Sequence, residues 1–306
     1  MAIKKYKKVV YTFTAIFIFL GIAIYFSSLD LKSDFKPEAK GFQWEVTKNN
    51  KSMYLIGTMH PINKEYNYFN KNVKDIIRKT DVLAVEINPS KEEIDNINAK
   101  NVYINGHSIE DELNKNQIKN LKSICNEIGI DYKDIKNLKP HIIMNKLESV
   151  LYYKANLVME TFDDMLKDTI VSKGKRVVQL ENMEFQMDLL SKINGLESLK
   201  LNLNNYKKGK FLESGEETIK YSKELMDGYA KGNKAIMEKA IKLQKKNPLS
   251  YRIMITNRNK VMTKKIDELF LDNETYTVAV GALHFFGDES IIKMLENKGY
   301  TVNSIE

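Results

Sequence analysis

Five short apolar runs stand out along residues 42–306: MYLIG (53–57), VLAVEI (82–87), VVQL (177–180), YTVAVG (276–281) and YTVNSI (300–305). They are continuous rather than alternating, the pattern of strands buried on both faces of a parallel sheet. FQWEVT (42–47) alternates and predicts an edge strand paired with 53–56, with 47–52 as its hairpin turn. Most of the remainder follows a helical period. Ser108 and Asp111 form a capping box, and Gly129 ends the helix that follows Asn114. Pro140 opens a long helix carrying Ile143, Leu147, Val150, Leu151, Leu157 and Val158 on one face. Amphipathic helices are predicted around 162–173, 183–193, 209–230, 233–246 and 249–271. The pattern predicts one α/β domain with a central, largely parallel sheet and a helical insertion in its middle.

One unit occurs twice. MYLIG-TMH (53–60) precedes a helix (66–79) and the strand VLAVEI, and YTVAVG-ALH (276–284) precedes a helix (288–298) and the strand YTVNSI. Right-handed crossovers deliver such loops to the carboxyl ends of their strands, where open α/β sheets bind ligands. Both Gly-x-x-His loops are therefore expected to face one crevice, with 53–57 and 276–281 as neighbouring or near-neighbouring strands.

Ahead of the domain, residues 1–8 are short and basic, and residues 9–26 carry no charge. As a helix that stretch spans roughly 27 Å, close to the thickness of a bilayer's hydrocarbon core. Lys4, Lys5, Lys7 and Lys8 place its start in the cytoplasm and the domain outside. The expectation is a single-pass cell-membrane protein with a cytoplasmic stub (1–8), an anchor in the lipid bilayer (9–26), a tether (27–41) and the working domain (42–306). The alternative is secretion after cleavage, although no small-residue cleavage pattern follows the apolar run.

The net charge of +8 is concentrated at that basic start. From Gly41 onward 41 Lys and Arg face 37 Asp and Glu, which is a solvated surface and gives no reason to expect nucleic acid. A single cysteine, Cys125, excludes an intramolecular disulfide and a multi-thiolate zinc site. It sits on a helix with Ile118, Leu121 and Ile128 and reads as a small buried hydrophobe.

Candidate chemistry collects around the repeated unit. His60 and His284 each follow a buried strand and a glycine, while Glu86 stands within one apolar run and Glu181 directly follows another. A buried carboxylate is costly unless paired or bound to a cation. Two imidazoles with one or two carboxylates suit a divalent ion such as Mn²⁺, Co²⁺ or Zn²⁺. The competing reading is that the histidines cap strand ends and the carboxylates pair with Arg258 or Arg252. Arg258 would either balance Glu181 or Glu86 or grip a substrate carboxylate. Thr58 is placed to donate to an oxyanion or to cap its turn. His107 and His141, at a loop and in a first helical turn, are expected to be structural or solvated. No Ser-His-Asp arrangement is suggested, since no G-x-S-x-G occurs.

The ordered series YLIGTMH (54–60), DVLAVEI (81–87), GHSIEDEL (106–113), LKPH (138–141), GKRVVQLENMEFQ (174–186), Arg258-Asn259 and VAVGALHFFGDESIIKMLENKGYTV (278–302) resembles the TraB/GumN family. That family includes the pheromone-shutdown proteins and is related to the Tiki membrane-anchored peptidases. The resemblance implies an α/β fold with helical embellishment. In the Tiki branch it implies metal-dependent peptidase activity, whose metal-binding roles would fall on His60, Glu86 and His284. Glu86 would be a ligand or the general base, Arg258 would orient substrate, and Gly57, Thr58, Glu181, Asn259 and Gly281 would surround them. Two departures from the family pattern are Asn88, where many relatives carry an acid, and KEYNYF after the first Gly-x-x-His. The expected function is a membrane-anchored, outward-facing, metal-dependent hydrolase acting on peptides or proteins. The alternative is a non-catalytic surface protein that sequesters a peptide.

Overall fold

The structure is a computed structural model that describes residues 36–155, 157 and 160–306. The expected stub, the anchor over 9–26 and most of the tether lie outside the described residues. Among the described residues no helix is long and apolar enough to cross a membrane.

Six strands form one mixed sheet: β1 (Phe42–Lys48), β2 (Lys51–Thr58), β3 (Val82–Val85), β4 (Arg176–Gln179), β5 (Tyr276–Gly281) and β6 (Thr301–Ser304), in the order β4-β3-β5-β2-β1-β6. β1 runs antiparallel to both β2 and β6, while β2–β5, β5–β3 and β3–β4 are parallel pairs. The hairpin joining β1 to β2 turns at Asn49 and Asn50, both with positive φ, which suits the twist of a two-residue connection. β2 and β5 are direct neighbours, with Thr58 opposite Gly281, so the two Gly-x-x-His loops leave the same edge of the sheet as expected. Packing enforces this closeness. A Cβ on Gly57 would lie only 3.1 Å from the Cβ of Ala282, so a larger residue there would push the loops apart.

Three expectations about the sheet need correction. β6 is a largely exposed edge strand rather than a buried one, β4 is the half-exposed opposite edge, and β1 lies inside β6 rather than at the rim. Strand VLAVEI ends at Val85, so Glu86 stands just past the strand's carboxyl end.

Helices cover the sheet and extend away from it: α1 (Lys71–Lys79), α2 (Lys91–Lys100), α3 (Lys115–Ile128), α4 (Pro140–Lys154), α5 (Phe162–Ser172), α6 (Met183–Ile193), α7 (Leu196–Asn205), α8 (Phe211–Ala230) and α9 (Lys234–Gln244). Then come a short turn of helix (Pro248–Tyr251), a π-helical segment (Arg252–Thr256), α10 (Asn257–Leu269) and α11 (Ile291–Glu296). The main core is the sheet with its flanking helices. A second cluster around Leu121, Ile143, Leu147, Leu199 and Leu203 belongs to the helical insertion. Ser108 and Asp111 do form a capping box, but it closes only a 3-10 turn, and α3 begins at its own Asn114 box and ends at left-handed Gly129. The packed chain begins before Phe42: Ala39 is buried, and the N–H groups of Ala39 and Lys40 bond to the carbonyls of Asn67 and Ala230.

Candidate functional site

Four chain segments meet at the carboxyl edge of the sheet. Glu86 follows β3, and Glu181 follows β4 one residue after Leu180. Backbone bonds from Leu180 to Val85 O and from Glu181 to Glu86 O, each 2.8 Å, continue the ladder beyond the strands and set the two acids side by side. Between them lies Arg258 of α10, fully buried. Its Nε donates to Glu181 Oε2 at 2.9 Å, and its Nη2 donates to Glu181 Oε2 at 2.7 Å and Glu86 Oε2 at 2.6 Å. Gln186 of α6 adds a 2.9 Å bond to Glu181. Arg258 thus balances both acids through Nε and Nη2.

The two acids are not equivalent. Glu181 has none of its side chain exposed, whereas Glu86 keeps 11% exposed. Burial alone would raise the Glu86 pKa. Arg258 and the Gly281 N–H, which donates to Oε1 at 2.7 Å, hold it below the usual carboxylate range, so it is ionised.

The π-helical turn directly precedes α10, whose second and third residues, Arg258 and Asn259, are fully buried. Such turns recur at functional sites. Asn259 Nδ2 donates to Glu289 O at 2.7 Å, which leaves its Oδ1 to accept from His284 Nδ1 at 2.6 Å. The proton of neutral His284 therefore sits on Nδ1, and Nε2 lies 3.9 Å from Glu86 Oε1. Burial and Arg258 lower the His284 pKa to about 3, so the imidazole is neutral. His60, on the other loop, is only partly buried. Burial lowers its pKa against the opposing pull of Glu86.

His60, Glu86, His284, Glu181, Arg258, Asn259, Gly57, Thr58 and Gly281 all belong to this one edge. The metal shell expected from His60, Glu86 and His284 is not formed: among the described residues, no group of three or more His, Cys, Asp or Glu side chains could hold an ion. Glu86 accepts from Arg258 and from Gly281, and His284 Nδ1 is held by Asn259, which leaves His284 Nε2 facing Glu86 Oε1 at 3.9 Å.

Thr58 does not cap its own turn; its hydroxyl donates to Asp163 Oδ1 of α5 at 2.9 Å. Asp163 escaped sequence reasoning because an Asp-Asp pair in a first helical turn is ordinary compensation of the helix dipole. His107 is exposed 3.4 Å from Asp111, and His141 bonds Asn101 at 3.1 Å. Both are structural or solvated, as expected, and Cys125 is buried.

Comparison with known proteins agrees with the motifs. The family model described as the TraB/PrgY/gumN family matches residues 42–304. A protein of the sponge Amphimedon queenslandica named "Metalloprotease TIKI homolog" is 39% identical over 70 residues, 22% of this chain and 14% of the sponge protein. A Plasmodium falciparum protein is 26% identical over 198 residues, 61% of this chain and 4% of that protein. The chain thus spans a small part of the length of these relatives. No solved structure matches.

Proposed function

Because the chain belongs to the TraB/PrgY/gumN family, we propose that it is a hydrolase that cleaves amide bonds in peptides, with the sheet edge around Glu86 as its active centre. The observation that carries this reading is the convergence of both Gly-x-x-His loops on an ionised Glu86, with His284 Nε2 3.9 Å from its Oε1. The sponge relative's name, a metalloprotease, supports the choice of a peptide substrate.

In this reading Glu86 accepts the proton of the attacking water. Arg258 keeps Glu86 ionised and fixes one of its oxygens, so the other is aimed by Gly281 N–H toward the cleft. His284, neutral and held by Asn259, orients the water through Nε2. His60, the more exposed imidazole, contacts the scissile group. The proposal includes anchoring through residues 9–26 with the domain outside the cell. The test is incubation of the full chain with a peptide library and detection of new termini by mass spectrometry, alongside the Glu86→Gln variant. Sequence-selective cleavage lost in the variant is expected. Peptides retained but left intact by both proteins would favour sequestration and overturn the reading.

A further inference from the structure

The chain enters the folded domain beside the first Gly-x-x-His loop. Because β1 runs antiparallel to β2, its first residue, Phe42, pairs with Gly57 at the carboxyl edge of the sheet. Gly41, with a φ of 57°, turns the chain into β1 against the Tyr229 hydroxyl, which donates to Gly57 O at 2.6 Å. The residues ahead of Gly41 are fastened to the segment that follows His60. Asn67 N–H donates to Pro37 O at 2.9 Å, and Ala39 N–H donates to Asn67 O at 2.8 Å. Asn70 Nδ2 donates to the carbonyls of Ala39 and Lys40, each at 2.8 Å, and Lys40 N–H donates to Ala230 O at 2.7 Å. Residues 37–41 are thus a strap laid on the edge that carries the candidate site. The opposite edge, where the β1–β2 hairpin turns at Asn49 and Asn50, lies at the far end of the strands.

The strap limits where the domain can sit. Ten residues, 27–36, join the expected anchor to Pro37. Fully extended they reach at most about 36 Å, whereas a domain the length of residues 42–306 is roughly 45–50 Å across. A lead that short, joined at the carboxyl edge, cannot carry that edge a domain's width away from the bilayer. Charge points the same way. Lys36, Lys40, Lys64, Lys71, Lys231 and Lys234 are all exposed, on the strap and on the segments it is bound to. Of the acids beside them, Glu38 is bound to Lys74 at 3.5 Å and Glu65 is exposed. A collar of this sign is drawn to an anionic lipid surface.

We propose that the carboxyl edge of the sheet faces the bilayer in which the chain is anchored, and that the substrate is a peptide segment fixed to that same bilayer and cleaved within about 35 Å of its surface. The substrate rests on the hydrolase reading and on the anchor proposed with it; the orientation does not depend on hydrolysis. Holding site and peptide in one thin layer raises the effective concentration of each for the other. A freely diffusing peptide reaches the same cleft without that gain.

The test reconstitutes the full chain through its own anchor into vesicles of phosphatidylcholine and phosphatidylglycerol. Cys125 is buried, so a thiol dye is directed to an added surface cysteine. Lys64→Cys puts it on the loop after His60, and Ser52→Cys puts it at the amino end of β2. With an energy acceptor on the lipid headgroups, stronger transfer is expected from position 64. Equal or stronger transfer from position 52, or a chain that the vesicles do not hold, would overturn the inference whatever the chain cleaves. A peptide cleaved in the library assay is then fixed to lipid through polyproline spacers of about 25 Å and about 75 Å, at roughly 3.1 Å per residue. Cleavage is expected to be at least about tenfold faster on the short spacer. Inserting about 30 Gly and Ser residues between Ser33 and Asp34 should shrink that preference. Equal rates on both spacers, or a preference for the long one, would overturn the substrate assignment while leaving the hydrolase standing. A chain that shows the expected orientation but cleaves no peptide would bring down the hydrolase reading and the substrate with it.

Discussion

The two Gly-x-x-His loops share a pattern, leave adjacent parallel strands at the same edge, and are used differently. In the second, Gly281 gives its N–H to Glu86, Ala282 packs against Gly57, and His284 is fully enclosed with Nδ1 held by Asn259. In the first, the Gly57 carbonyl accepts from Tyr229 at 2.6 Å, Thr58 reaches Asp163, and His60 stays partly exposed. One loop is built into the core and fixes the acid and one imidazole. The other faces the cleft. The lesson is that a repeated motif fixes where its loops arrive, while the residues between glycine and histidine decide what each loop does there.

The largest effect that sharpens this contrast is on activity. His60→Ala is expected to slow peptide cleavage by about 10²- to 10⁴-fold at an unchanged unfolding midpoint, whereas His284→Ala loses both activity and stability. Matching stability losses in thermal unfolding would erase the contrast between the loops.

Next comes the cation beneath both loops. Arg258→Met leaves Glu86 and Glu181 facing one another in the core without a balancing charge, and should cost about 3–5 kcal/mol in denaturant unfolding. A change below about 1 kcal/mol would mean that the acids are not ionised together.

The seam between the loops should respond more mildly. In Gly57→Ala the new methyl meets Ala282, so the loops must shift, at a cost of roughly 1–3 kcal/mol. The paired variant Gly57→Ala with Ala282→Gly should recover part of the loss; no recovery would place the strain elsewhere.

The smallest effect lies away from both loops, in α4. Burial raises the Glu148 pKa to about 7, while Tyr152 donates to it at 3.2 Å. The folded chain then holds this proton more tightly than the unfolded chain. This contribution to stability is greatest below the ordinary value of 4.5 and declines as pH rises through about 7. Glu148→Gln should flatten that part of the melting-temperature profile between pH 5 and pH 8; an unchanged slope would contradict the assignment.

Much of this architecture was legible in the sequence. Glycine followed by histidine after an apolar run marked both strand ends, and an acid beside an apolar strand demanded a partner, which Arg258 supplies. Edges were not legible, because an apolar run such as VVQL looks the same at the rim as in the centre; only pairing decides. Helix α7 was also missed, since its buried Leu199 and Leu203 are diluted by Asn and Lys. At the site, no spacing reveals the hydrogen bonds that tie Glu86 to Arg258 and Gly281, and His284 to Asn259. Asp163 escaped because its partner Thr58 is remote in sequence. Its one local trace is a surplus: Thr161 and Lys167 satisfy Asp164 and leave the adjacent acid over.

The central question is whether the loop that carries the partly exposed His60 does chemistry. The direct measurement is cleavage of a peptide library by the full chain and by His60→Ala, side by side, with unfolding midpoints recorded for both. Defined cleavage products from the wild-type chain, their loss in the variant, and equal midpoints are expected. Equal cleavage by both proteins, or intact peptides with the wild-type chain, would contradict that expectation.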